Sequence, residues 1–80
     1  SAAFEQAVRD AWAEAVKKLT ATQRQVFTLR VEHDLSDEEI ARRVGIKSGA
    51  VRARVHRARQ RLRGDQALLR LAQQLLSPPG

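Results

Sequence analysis

The feature that most constrains this 80-residue chain is a helix start signal, a glycine nine residues on, and a second helix start close behind it. Ser36-Asp37-Glu38-Glu39 is an S-x-x-E capping box with acids through the first turn, where they favour the positive end of the helix dipole. Ile40, Ala41 and Val44 give that helix an apolar side, and Gly45 stands where a left-handed residue would end it. Three residues later Ser48 is placed to cap another helix. A short helix, a glycine turn and a second helix form the helix-turn-helix pattern.

The rest of the chain is punctuated in the same way. Phe4, Val8, Ala11, Trp12, Ala15 and Val16 recur at three-to-four spacing, which predicts an amphipathic first helix. Thr20 with Gln23 makes a second capping box, so a helix should run from about 21 to 33 with Val26, Phe27, Leu29 and Val31 as its apolar residues. His33-Asp34-Leu35 reads as a connector. Gly64-Asp65 reads as a stop followed by a new N-cap, and Leu68, Leu71, Ala72 and Leu75, widened by Leu69 and Leu76, stripe a separate fifth helix. That stripe either folds back to enlarge a small core or serves as a partner or self-association surface. Proline occurs only in the terminal Ser77-Pro78-Pro79-Gly80. The expected fold is all-α: one small helical bundle over 1–80 with a C-terminal helix-turn-helix and an extra terminal helix.

Charge narrows the function. The total is +6, but residues 1–39 hold five basic and eight acidic side chains, while residues 40–80 hold ten basic and one acidic. Twelve of the fifteen basic residues are Arg, the side chain suited to bidentate contact with phosphates and guanine edges. At about 100° per residue, Val51, Val55, Ala58 and Leu62 fall in one stripe, the face expected to dock on the body. Gly49, Ala53, His56, Arg57 and Gln60 lie opposite, with Arg52 and Arg63 at their edge, while Arg54, Arg59 and Arg61 flank the buried stripe. In a helix-turn-helix this second helix enters the major groove and its N-terminal residues read base edges. Small residues at Gly49, Ala50 and Ala53 would let the backbone approach closely, with Arg52, His56 and Arg57 reaching the groove. The competing reading of such a run is a solvated helix face.

Other chemistries find little here. Without Cys there is no disulfide framework, thiolate metal site or cysteine nucleophile. Two His without a close carboxylate pair give no metal site, and no cofactor or enzymatic activity is expected. Ser36 and Ser48 are accounted for as caps, and Glu38 and Glu39 as helix-start acids. No stretch approaches the roughly 18 apolar residues of a membrane span, and no signal peptide is visible. With no Met even at position 1, the chain reads as a piece of a longer protein.

Three blocks in order now carry a family resemblance: Leu19-Thr-Ala-Thr-Gln-Arg-Gln-Val-Phe-Thr-Leu-Arg, Leu35-Ser-Asp-Glu-Glu-Ile-Ala-Arg-Arg-Val-Gly-Ile, and Gly49-Ala-Val-Arg-Ala-Arg-Val-His-Arg-Ala-Arg-Gln-Arg-Leu-Arg. Together they resemble region 4 of bacterial sigma factors, in particular the extracytoplasmic-function group, over roughly residues 5–63. The remainder, 64–80, is a C-terminal extension. The chain departs from the pattern at Ala50 and Ala53, each lacking a hydroxyl that the family often places there.

The resemblance implies a domain that binds double-stranded promoter DNA at the −35 element while docked on the β-flap of RNA polymerase, in the bacterial cytoplasm. It also implies an anti-sigma factor as a partner. The DNA-binding set it implies is Ser48, Gly49, Arg52, Ala53, Arg54, His56 and Arg57. Two alternatives stand beside it: the output domain of a LuxR-type response regulator, and a sigma-like mimic that sequesters an anti-sigma factor without using DNA.

Overall fold

The computed structural model describes residues 1–76, without the side chain of Leu76. The Pro-bearing end and the contribution of Leu76 to the leucine stripe therefore lie outside the described residues. Five helices follow one another: α1 (Ala2–Lys17), α2 (Ala21–Val31), α3 (Asp37–Val44), α4 (Ser48–Arg63) and α5 (Gln66–Leu76). The all-α expectation, with a fifth helix distinct from the fourth, is what the chain adopts.

Both capping boxes form as read. The Thr20 hydroxyl accepts the Gln23 N–H while the Gln23 side chain accepts the Thr20 N–H, and Ser36 and Glu39 repeat the exchange. Each box satisfies amides that have no partner inside the helix. Gly45 ends α3 at φ 77°, the left-handed region in which a Cβ would be strained.

The core is built from one face of every helix up to α4. Ala15 of α1, Leu19 in the turn after it, Val26 and Phe27 of α2, Ile40 of α3, and Val51, Val55, Ala58 and Leu62 of α4 are all buried. Trp12 packs on Phe27 with ring centroids 5.8 Å apart. The α4 stripe is thus the docked face, held against α2 and α3. Leu68 brings the start of α5 onto the same cluster.

Three expectations are corrected. First, α2 stops at Val31 rather than about 33. The amides of Glu32 and His33 both bond to the Thr28 carbonyl, and Asp34 turns left-handed at φ 53°, which sends the chain out toward α3. Val31 is consequently 46% exposed instead of core. Second, α4 is capped one residue earlier than Ser48. Lys47 has the extended cap backbone, its carbonyl accepts the amides of Ala50 and Val51, and no side chain caps the helix. Third, the stripe of α1 is covered unevenly: Ala15 is buried and Phe4, Ala11, Trp12 and Val16 half-buried, while Val8 stays 37% exposed. The stop and new cap read at Gly64-Asp65 do form: Gly64 is the C-cap of α4 at φ −84°, and the Asp65 carboxylate accepts the Leu68 N–H at the start of α5.

Candidate nucleic-acid interface

Because Val51, Val55, Ala58 and Leu62 take α4's inner face, its geometry decides what faces out. Gly49, Arg52, His56 and Arg57 are exposed, while Ser48, Ala53 and Arg54 are half-buried. The seven expected site residues therefore lie on the first three turns of one helix, but only four of them stand clear of the protein. Ser48, as the first helical residue rather than the cap, has its hydroxyl uncommitted to capping.

The six Arg of α4 arrange themselves as two shoulders. Arg52, Arg59 and Arg63 recur at i, i+7, i+11, and Arg54, Arg57 and Arg61 at i, i+3, i+7, each set within one side of the helix. Between them runs a crown of Gly49, Ala53, His56 and Gln60, free of Lys, Arg, Asp and Glu. Among the described residues no ion pair uses an Arg of α4, so their charge is directed to solvent.

Two other Arg are spent inside the fold, which sequence reasoning missed. The Arg24 guanidinium donates to the carbonyls of Val16, Lys17 and Leu19 at 3.4, 3.3 and 3.2 Å, closing the C-terminal end of α1. Arg30 donates to the Leu35 carbonyl at 3.3 Å and lies 3.6 Å from the Asp37 carboxylate, bracing the connector that aims α3. Spacings of five to eight residues across a helix boundary leave no periodic trace, so no pattern could have announced these contacts.

The start of α3 is closed to anions by its own side chains. The Ser36 hydroxyl and backbone N–H bond to the Glu39 carboxylate and hold its pKa below the usual value, with Arg42 and Arg43 adding a smaller pull. Among the described residues no group of three or more His, Asp or Glu could hold a metal ion, and no helix is long and apolar enough to cross a membrane.

Comparison with known proteins meets this geometry from the other side. The family described as "Sigma-70, region 4" matches residues 9–62, a span from the middle of α1 to the last buried residue of α4. The chain is also similar to the protein named ECF RNA polymerase sigma factor SigD of Mycobacterium bovis and of Mycobacterium tuberculosis. It is 48% identical to each over 52 residues, covering 65% of this chain and 24% of theirs. It therefore spans about a quarter of the length of these curated relatives. No solved structure matches it significantly. With more than half its length, including the whole helix-turn-helix, inside the match, this chain belongs to the sigma-70 region 4 family.

Proposed function

We propose that this chain is the DNA-binding domain of an extracytoplasmic-function sigma factor, laying α4 in the major groove of the promoter −35 element. The observation that carries the reading is the division of α4. Its apolar stripe is fully used against α2 and α3, and its opposite face presents Gly49, Arg52, His56 and Arg57 to solvent. Gly49 and Ala53 bring the backbone close to the groove, Arg52 and Arg57 reach base edges or phosphates, and the half-buried Ser48 and Arg54 contact the backbone from the helix's side.

The same reading gives the domain three bacterial cytoplasmic partners: promoter DNA, the polymerase β-flap and an anti-sigma factor. An open groove runs along α2, lined by Ala21, Thr22, Arg24, Gln25, Thr28 and Leu29, none of them a residue of α4. A flap docked there would leave the exposed residues of α4 outside its lining. Ala50 and Ala53 favour a second reading, a mimic that binds an anti-sigma factor without DNA, because each removes a hydroxyl from the groove-facing surface. Family membership leaves the response-regulator alternative without support.

Binding of −35 promoter and scrambled duplexes across a salt series, beside a pull-down with the polymerase flap, tests the proposal. Preference for the promoter with a steep salt slope is expected. Equal affinity for both duplexes at every salt concentration would remove sequence reading, and capture of an anti-sigma factor without DNA binding would favour the mimic.

A further inference from the structure

The junction of α4 and α5 contains a glycine that the observed structure does not need. Gly45, by contrast, is required, since only glycine is at ease at its φ of 77°. Gly64 is right-handed at φ −84°, ψ −2°. A Cβ built on it would meet nothing nearer than the Arg61 carbonyl at 3.6 Å, an ordinary van der Waals contact. Neither backbone conformation nor crowding explains the residue. What glycine supplies there is freedom to take other conformations.

Immediately after it sits the only buried polar side chain of the described residues, Asp65 at 7% exposure. One carboxylate oxygen accepts the Leu68 N–H at 3.0 Å, starting α5, and the other accepts from Lys18 Nζ at 2.8 Å. Lys18 lies 47 residues away, at the end of α1. Beyond this clasp α5 is held lightly. Leu68 and Leu71 are half-buried, whereas Leu69 is 42% and Leu75 73% exposed. The match to the family ends at residue 62, so Gly64, Asp65 and α5 all fall outside the shared block.

We propose that Gly64 is a hinge and the Lys18–Asp65 ion pair its latch, so that α5 swings as an intact helix between a docked and an undocked position. Docked, α5 lies against α1 and shields Leu68 and Leu71. Undocked, it turns about Gly64, offers its leucine face to solvent and uncovers the side of α1 it had occupied. The helix-turn-helix keeps its fold in both positions, because no residue of α5 is among the fully buried core. The device stands apart from DNA recognition, and its test does not depend on that reading.

Two spin labels on cysteines replacing the exposed Ala13 and Gln74 report the position of α5 in a chain that has no other cysteine. The native background should give one dominant distance with a minor longer component. Lys18→Met, which breaks the latch but leaves the Asp65 cap, should enlarge the longer component several-fold with unchanged helicity by circular dichroism. Adding Gly64→Ala to Lys18→Met should shrink it again, because alanine favours the right-handed backbone seen in the docked state. An unaltered distance distribution in Lys18→Met would overturn the latch. Loss of helicity in that variant would overturn the swinging helix in favour of a melted one. Failure of Gly64→Ala to narrow the distribution would overturn the hinge. Trp12 fluorescence against Phe27 verifies in each variant that the body remains folded.

Discussion

Asp65 has two partners and almost no surface, and its pH behaviour follows from both. The Lys18 ammonium first, and the Leu68 amide second, hold its carboxyl below the usual carboxylate value, outweighing the cost of burial. Glu39 is lowered in the same direction by Ser36. A carboxylate whose folded pKa lies below its unfolded one stabilises the fold above the unfolded value, about 4, and the benefit is lost as pH falls through the folded value. Thermal melts from pH 7 to pH 3 should therefore show the midpoint dropping below about pH 4. Asp65→Asn should lower the midpoint at neutral pH and flatten that acid limb. An acid limb as steep as the native one would place the effect in other carboxylates. At the same scale, Arg24→Ala should loosen the end of α1 and cost about 1 kcal/mol, a drop of roughly 4–8 °C for a domain this small.

Helix boundaries show which local rules decide and which yield. Gly45 and Gly64 both stand at helix ends, yet alanine should act on them with opposite sign. Gly45→Ala forces a Cβ into a left-handed residue and should destabilise by about 1–2 kcal/mol. Gly64→Ala meets no clash and restricts the unfolded chain, so it should stabilise by roughly 0.4–1 kcal/mol. Chemical denaturation of the two variants checks the pair. Ile40, fully buried where α3 meets the core, should cost about 2–5 kcal/mol when cut to Ala.

Local chemistry made most of these elements legible. The boxes at Thr20 and Ser36, the turn at Gly45, the cap at Asp65 and the α4 stripe are all written within a few residues of where they act. The errors came where a distant or competing group decided. Lys47 took the extended cap backbone, which put Ser48 one residue inside the helix rather than at the cap position. Val31 left the core because Asp34 took a left-handed turn that asparagine, aspartate and glycine tolerate but do not announce. Lys18 and Asp65 are 47 residues apart and meet where α5 packs against α1, so their ion pair had no sequence signature. For the candidate interface, the helical period placed Arg52, His56 and Arg57 outward correctly. It also placed Arg54 beside the buried stripe, where it is half covered, but gave no sign that Ser48 and Ala53 would be half covered too.

For the molecule as a whole, the asymmetry between an acidic front and a basic back gains a location. Arg24 and Arg30 are absorbed in bracing helix ends, while the six Arg of α4 project from one helix of a particle 50 Å long and about 20 Å across. Under the proposed DNA-binding reading, Arg52→Ala or Arg57→Ala at a base contact should cost about 1–3 kcal/mol and relax sequence preference. Arg59→Ala or Arg61→Ala, on the shoulders, should weaken binding to all sequences alike and lower the salt slope by about one. Titrations of each variant at several salt concentrations separate the two outcomes. The bare crown between those shoulders bears on how such a helix finds its target. Phosphates recur at every base-pair step whatever the sequence, so charge carried at the sides can be handed from one step to the next. A crown of glycine, alanine, one histidine and one glutamine offers few side chains to the bases it passes. Under the proposed reading, such a helix would move along the duplex on its shoulder charges until Arg52 and Arg57 meet the bases they read, and those contacts would set its residence there.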